Sequence, residues 1–208
     1  VQSPAIRASA AHERSGNVLR PEGLDDVIGQ DQAKSLLAAA VRSSKARNEP
    51  LDHMLMVGPS GTGKTTLAHV IASEVGADVY ELEAPVSMDT LLELRTTMKD
   101  GDILKIEEIH QQAVMERRGR SSATQPEVLY AVMEDRVIPT SEGILPFPKI
   151  TLIGTTTDEG MLPDAFVNRF PLKPRLRPYT VEQLDAIAIA NARNLNLRIT
   201  YKAARIFS

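Results

Sequence analysis

The segment at residues 58–65, with the sequence GPSGTGKT, constrains the fold of this chain more than any other. It fits the phosphate-binding pattern G-x-x-x-x-G-K-[ST] at every fixed position. The apolar run at residues 53–57 is typical of a buried strand, and residues 66–75 carry apolar side chains at helical spacing before Gly76. A strand, a glycine-rich loop and a helix in this order favour a phosphate-binding loop over a chance glycine-rich turn.

The chemistry of such a loop depends on backbone N–H groups that converge on phosphate oxygens, assisted by the positive end of the following helix. The Lys64 side chain would reach the β- and γ-phosphates, and the Thr65 hydroxyl would bind Mg²⁺. The predicted nucleotide contacts in this segment are Gly58, Pro59, Ser60, Gly61, Thr62, Gly63, Lys64, Thr65 and Thr66.

Composition sets outer limits on the class of protein. A length of 208 residues suits one domain, or one domain and part of another. There are no cysteines, which excludes disulfides and thiolate metal sites and is consistent with a cytoplasmic location. The net charge of −3 disfavours attraction of nucleic acid to the whole surface but leaves a local basic patch open. No apolar run is long enough to cross a membrane, so no membrane partner is expected.

Strands alternate with helices along the chain, which predicts an α/β fold with a parallel sheet flanked by helices. Apolar residues at positions 33–41 predict a helix before the loop, and Thr180 with Gln183 matches a capping box for a late helix. Further strands are predicted at 79–82, 102–108 and 150–154, and further helices near 88–94 and within 111–135, interrupted at 117–124.

Two acidic residues, Glu107 and Glu108, end the predicted strand at 102–108. In phosphate-loop ATPases an acid at the end of a neighbouring strand holds Mg²⁺, and a second carboxylate activates the attacking water. Without the loop upstream, a solvated strand end would be the simpler interpretation. With the loop, the sequence predicts Glu107 as a metal ligand and Glu108 as the catalytic base.

Seven stretches of this chain together resemble an AAA+ ATPase, most closely the RuvB family of Holliday-junction branch-migration motors. They occur in the family's order: LRPEGLDDVIGQ (19–30), LDHMLMVGPSGTGKTTLAHVIASE (51–74), GDILKIEEIH (101–110), LYAVMED (129–135), TLIGTTT (151–157), NRF (168–170) and YTVEQL (179–184). Residues 1–18 have no sustained period and many small or polar residues, which predicts a flexible arm. The resemblance implies an AAA+ ATPase domain at 19–178 and the start of a helical lid at 179–208.

The resemblance also implies roles for residues outside the loop. Thr157 resembles the polar sensor of the γ-phosphate, and Arg169 resembles the arginine finger supplied to the neighbouring subunit. Arg169 could otherwise form a surface salt bridge, and Thr157 could be an ordinary strand-end threonine. The residues that fall where the family surrounds adenine are Arg20, Pro21, Ile28, Gly29 and Tyr179, of which Ile28 and Tyr179 could equally be core residues.

The chain departs from the family pattern at several positions. Glu107 replaces the usual Asp, which predicts slow hydrolysis because Mg²⁺ demands near-ideal octahedral geometry. Lys105 replaces an apolar strand residue and needs a partner or an exit to solvent. The segment 136–148 is short and proline-rich where the family has a long hairpin that grips the partner RuvA, so a RuvA-type contact is doubtful. The arginines of 116–124 could meet DNA phosphates or form a solvated basic loop.

These observations predict an ATP-binding and hydrolysing AAA+ domain of a ring-forming DNA motor, with ATP or ADP and Mg²⁺ as cofactors and a homo-hexamer as the complete assembly. Two alternatives stay open. One is an AAA+ ATPase that remodels a protein partner. The other is a nucleotide-dependent assembly module with weak turnover, which the substitutions at Glu107 and Lys105 favour.

Overall fold

The computed structural model describes residues 7–9, 20–112 and 126–197. Its strands are β1 (Arg7–Ser9), β2 (Met54–Val57), β3 (Val79–Glu83), β4 (Ile103–Glu107), β5 (Val137–Thr140), β6 (Gly143–Pro146) and β7 (Thr151–Thr156). Its α-helices are α1 (Asp31–Arg47), α2 (Lys64–Val75), α3 (Met88–Thr97), α4 (Pro126–Glu134), α5 (Asp164–Val167) and α6 (Val181–Asn194). Short 3₁₀ turns lie at Leu24–Asp26 and Glu159–Met161.

The main sheet has the strand order β1-β3-β4-β7-β2. All its pairs are parallel except the one between β1 and β3. Residues 172–176 run beside β2 and exchange backbone hydrogen bonds with it. Because β2, β4 and β7 are parallel neighbours, their carboxyl ends lie at one edge of the sheet, where ligands bind in open α/β folds.

Two hydrophobic clusters cover the two faces of this sheet. One contains Leu37 of α1 and Ile71 of α2, and the other contains Leu94 of α3 and Leu129 of α4. Alternate residues of the strands supply the two clusters, as in β2, where Met56 joins the first and Leu55 the second. The predicted α/β fold, a parallel sheet with helices on both faces, is confirmed.

The edge strand β1 lies within the range that the sequence predicted to be a flexible arm. Residues 7–9 pair antiparallel with residues 79–81 of β3. The other residues of that arm lie outside the described part of the chain, so the rest of the prediction stays a prediction.

The segment at residues 136–148 forms a short β-hairpin, although its prolines were expected to disfavour the hairpin of the family. Phe147 N donates to Arg136 O at 2.7 Å, which fixes the alternation of bonded and non-bonded pairs along β5 and β6. Pro139 and Pro146 both fall in the non-bonded pairs, where the N–H of any residue would point away from the partner strand. Proline therefore removes no hydrogen bond from this ladder.

Helix α6 begins with the capping box that the sequence predicted. The Thr180 hydroxyl accepts from Gln183 N, and the Gln183 side chain accepts from Thr180 N. The basic loop at 116–124 and residues 198–208 lie outside the described residues, so their predicted roles stay predictions. In the described part of the chain, no helix is both long and apolar enough to cross a membrane.

Candidate functional site

The candidate site lies at the carboxyl edge of the sheet, where the loop after β2 meets the ends of β4 and β7. Gly58 N donates to Thr156 O at 3.1 Å, and Ile109 N donates to Thr155 O at 3.0 Å. The end of β7 thus contacts both the phosphate loop and the acidic segment. The order of the strands brings together motifs that are separated by about a hundred residues of sequence.

The loop itself has the backbone conformation that its glycines allow. Gly61 and Gly63 have positive φ angles of 77° and 93°, and α2 begins at Lys64. Thr62 Oγ1 donates to Pro59 O at 2.8 Å and tightens the turn. The predicted contacts Pro59, Ser60 and Gly61 are exposed, Thr62 is buried, and Gly63, Lys64, Thr65 and Thr66 are half-buried.

The Lys64 ammonium folds back over the loop. It donates to Gly58 O at 2.6 Å and to Pro59 O at 2.9 Å. Burial lowers the pKa of Lys64, and the charges of Glu108 and Glu107 oppose that shift. Lys64 therefore lies in the field of both acidic residues, and its predicted contact with phosphate stays a prediction.

Glu108 and Thr157 lie together at the edge of the site. Thr157 Oγ1 donates to Glu108 Oε2 at 3.3 Å. Glu108 has a positive φ of 47°, an uncommon conformation that turns the chain immediately after β4. His110, which sequence reasoning did not single out, has its Nδ1 3.3 Å from Glu108 Oε2 and 3.0 Å from Thr156 Oγ1. Its position two residues after the predicted base was the available signal.

Thr65 and Glu107, the predicted metal ligands, are also in contact. Thr65 Oγ1 donates to Glu107 Oε1 at 3.0 Å. The ammonium of Lys105 contacts both of these atoms, at 2.9 Å from Thr65 Oγ1 and 2.5 Å from Glu107 Oε1. A cation therefore already binds the two oxygens assigned to Mg²⁺, and in this arrangement the residues do not fit an additional metal ion.

Lys105 belongs to a charged network beneath the loop. Its ammonium also donates to Glu81 Oε1 at 3.3 Å, and Glu81 Oε1 lies 2.5 Å from His69 Nε2. The hydrogen bond with His69 and the charge of Lys105 outweigh the effect of burial and hold the pKa of Glu81 at about 2. Burial alone would raise the pKa of Glu107, but the hydrogen bond and charge of Lys105 lower it.

Sequence reasoning missed two members of this network, His69 on α2 and Glu81 on β3. His69 follows Thr65 by one helical turn, and Glu81 lies opposite Lys105 in the pairing of β3 with β4. The helical spacing of Thr65 and His69 was visible in the sequence. The strand register was not, so the partner of Lys105 could not be chosen among the acids nearby.

Of the residues predicted near adenine, Ile28 and Gly29 immediately precede α1, and Tyr179 precedes α6. Tyr179 lies against the loop, since a Cβ at Gly63 would be 2.7 Å from its hydroxyl. Gln30 Nε2 donates to Thr62 O at 3.1 Å and to Arg177 O at 2.7 Å. Gln30, another residue that sequence reasoning did not single out, thus links this side of the site to the phosphate loop and to the segment before α6. The remaining predicted residues are all half-buried: Arg20, Pro21, Ile28 and Gly29.

A cavity of about 310 Å³ lies nearby, between the start of α1 and the segment that leads into α6. Gln30, Arg175 and Gln183 are among the residues that line it, and no residue of the loop at 58–65 does. The cavity therefore does not extend to the phosphate loop itself.

Arg169, the predicted arginine finger, is held by α4 and α5. Its guanidinium lies 4.1 Å from the centre of the Tyr130 ring, and Nη1 donates to Ala165 O at 2.5 Å. Arg169 Nε lies 3.0 Å from Glu134 Oε1, an ion pair without the alignment of a hydrogen bond. These contacts keep the side chain on its own subunit, so its use in a neighbouring site would require their release.

A comparison with known protein families shows to which family this chain belongs. A sequence model described as "Holliday junction DNA helicase RuvB P-loop domain" matches residues 19–176. This chain belongs to the RuvB family. Its likeness to the family extends from the segment before α1 to the residues that run beside β2, and so includes the phosphate loop, the acidic end of β4, Thr157 and Arg169, but not Tyr179.

RuvB relatives and structures agree with this assignment. The chain is 38% identical to the Holliday junction branch migration complex subunit RuvB of Methanoregula boonei over 91% of its length, and 37% identical to that of Kosmotoga olearia over 94%. It spans 57% and 58% of those two proteins. The Thermotoga maritima RuvB Holliday junction branch migration motor matches with a TM-score of 0.74 and 36% identity, over 90% of this chain and 58% of that one.

Proposed function

We propose that this chain is the ATP-binding and hydrolysing core of a RuvB-type ring motor that acts on branched DNA. The observation that carries the proposal is the convergence of the phosphate loop, Glu108 and Thr157 at one edge of the sheet. A loop alone would support nucleotide binding. A carboxylate and a hydroxyl that are bonded to each other at the same edge of the sheet as the loop support hydrolysis as well.

The proposed chemistry assigns one role to each group. Lys64 leaves the carbonyls of the loop and donates to the phosphates of ATP, and the N–H groups at the start of α2 bind the same anion. Glu108 accepts a proton from water as that water attacks the γ-phosphorus, and the bond to the bridging oxygen of ADP breaks. Thr157, already bonded to Glu108, contacts the γ-phosphate and orients the water.

Assembly into a ring would complete the site. Arg169 would act on the nucleotide of the neighbouring subunit, where its planar fork of donors stabilises charge that develops on the phosphate. Because Tyr130 and Glu134 hold the guanidinium in the isolated chain, binding of the neighbouring subunit would replace those contacts. The proposed assembly is a homo-oligomer, and a hexamer in its complete form.

The hairpin β5–β6 offers a surface for a partner protein of the RuvA type. The doubt about this partner rested partly on prolines that were expected to prevent a hairpin, and the hairpin forms. Ile144 in β6 is 72% exposed and supplies an apolar side chain that a partner could cover. The proposed contact is smaller than one made by a long hairpin.

ATP turnover by the full-length protein, with and without a four-way DNA junction, tests the proposed function. Stimulation by the junction but not by linear duplex of equal length is expected. The Glu108→Gln variant serves as the inactive control. A rate of ATP turnover that DNA leaves unchanged and a protein partner increases would favour the remodelling alternative.

A second candidate function is a nucleotide-dependent assembly module with weak turnover. The contact of Lys105 with both predicted metal ligands favours it, because phosphoryl transfer in phosphate-loop ATPases ordinarily uses the metal at that position. Tight ATP binding with negligible turnover by the full-length protein, with or without a DNA junction, would select this candidate.

A further inference from the structure

Lys105 is among the largest fully buried side chains of the described residues, with an exposed fraction of 0%. An ammonium has three donors and no acceptor. Here the three acceptors are Thr65 Oγ1, Glu81 Oε1 and Glu107 Oε1. A buried lysine without partners would be strongly unfavourable, so this position is built around the charge.

The ammonium uses the atoms that a metal would need. Thr65 Oγ1 gives its proton to Glu107 and receives one from Lys105. Since a Mg²⁺–oxygen bond is about 2.1 Å long, a metal ion on Thr65 would lie within about 5 Å of the Lys105 nitrogen. Two like charges at that separation repel, and moving the ammonium away would leave it buried without its partners.

The contacts of Lys105 also affect whether a bound nucleotide requires a metal ion to offset the charge of Glu107. A carboxylate beside the phosphate loop repels a polyphosphate, and in most phosphate-loop ATPases a metal ion neutralises both. In this chain Lys105 neutralises Glu107 from below, at 2.5 Å, and Lys64 and the start of α2 supply positive charge from above. A metal-free nucleoside di- or triphosphate would therefore meet little uncompensated negative charge.

We propose that the Lys105 ammonium takes the place of Mg²⁺ at the phosphate loop, so that this chain binds ATP and ADP without a divalent metal ion. The inference rests on the proposed nucleotide-binding function. Lys105 is a positioning residue here, because it acts through Thr65 and Glu107 and is too deeply buried to contact the phosphates.

The test measures the affinity of the whole chain for ATP and ADP by calorimetry, once with excess Mg²⁺ and once with EDTA. The wild-type protein should bind with nearly the same Kd in both. Lys105→Met should keep its affinity in Mg²⁺ and lose about tenfold or more in EDTA, because the charge of Glu107 would then repel the polyphosphate without compensation. Lys45→Met, at an exposed lysine of α1, should behave as the wild type.

A second variant and a second probe keep the test decisive. Lys105→Met combined with Glu81→Gln removes one positive and one negative charge together, which protects the fold if the single variant is unstable. Binding of Mn²⁺, followed by electron paramagnetic resonance in the presence of ADP, should be weak in the wild type and stronger in this double variant.

The outcomes separate the inference from the function on which it rests. Wild-type binding that needs Mg²⁺, or equal loss in EDTA for wild type and both variants, would overturn the role of Lys105 and leave the proposed function standing. Failure of the folded wild type to bind ATP or ADP under either condition would overturn both.

Discussion

The ammonium of Lys105 lies 3.3 Å from the carboxylate of Glu81, the residue directly opposite it in the pairing of β4 with β3. Glu81 also binds His69 of α2. The three side chains connect two strands and a helix beneath the phosphate loop. A change in the charge of one of these side chains should therefore affect both the stability of the sheet and the charge near the phosphate loop.

Glu81→Gln should lower the stability of the domain in a pH-dependent way. The pKa of Glu81 falls from 4.5 to about 2 on folding, so its stabilisation is present above about pH 4.5 and is lost as the pH falls towards 2. After allowance for partial exposure, we expect a loss of about 2 kcal/mol at pH 7. Urea unfolding at pH 7, 5 and 3.5 measures it, and a difference from wild type that does not shrink at low pH would contradict it.

Lys64→Ala should weaken ATP binding while the fold persists. The half-buried Lys64 side chain bonds to two carbonyls of the loop and belongs to neither hydrophobic cluster, whereas its loss removes a charge-assisted hydrogen bond to phosphate. We expect a cost of about 1.5–3 kcal/mol in binding free energy. Calorimetry measures the affinity, with exposed Lys45→Ala as the matched control. An unchanged ATP affinity in folded Lys64→Ala would show that this lysine does not contact the phosphates.

Glu108→Gln should retain ATP binding and lose turnover. The amide is nearly isosteric with the carboxylate but cannot accept the proton, and a general base contributes roughly 10²–10⁴ in rate. Glu83→Gln is the matched control, because Glu83 is exposed at the end of β3, the strand next to β4. Comparable turnover in the Glu108 and Glu83 variants would remove Glu108 from the mechanism.

Two alanine substitutions in the loop should differ in severity. Gly61→Ala meets no atom within 4 Å and carries only the strain of a positive φ, roughly 1–2 kcal/mol. Gly63→Ala carries the same strain and also places its Cβ 2.7 Å from the Tyr179 hydroxyl. Thermal unfolding should rank Gly63→Ala as the less stable, and Tyr179→Phe should partly restore it. Equal stability of the two would mean that Tyr179 moves freely from the loop.

Arg169→Ala should abolish turnover and leave ATP binding nearly intact, if the finger acts on the neighbouring subunit. In related chemistry an arginine finger is worth ~10³–10⁵ in rate. In a mixture of the two inactive variants, some interfaces combine Glu108 of an Arg169→Ala subunit with Arg169 of a Glu108→Gln subunit. Activity should return at those interfaces. Subunit exchange is verified by labelled protein. A mixture that exchanges and stays inactive, beside an active wild type, would exclude a shared site.

Tyr130→Ala tests the contacts that hold Arg169. Removing the ring takes away the stacking partner at 4.1 Å and should free the guanidinium for a neighbouring subunit. We expect turnover that reaches its plateau at a lower protein concentration, since less energy is spent on releasing Arg169. Measuring turnover against protein concentration checks this. Loss of activity parallel to loss of folding would instead assign Tyr130 to the core.

Local patterns in the sequence determined the α/β class, the phosphate loop, the acidic end of β4 and the capping box of α6. Each depends on residues within a few positions of one another, and the backbone conformation that they favour is expressed locally. The bounds of α1, α2 and the central strands follow the predicted segments for the same reason. The resemblance to the RuvB family implied roles for Thr157 and Arg169, which stay predictions.

Only the tertiary structure decided what those residues contact. The partners of Lys105 come from β3, β4 and α2, and they were set by a strand register that no local pattern encodes. The hairpin tolerates Pro139 and Pro146 because of the alternation of its bonded pairs, which a one-residue shift would reverse. Arg169 is held by Tyr130, nearly forty residues earlier in the chain. Contacts between distant segments depend on how elements pack, and packing is decided by the whole core at once.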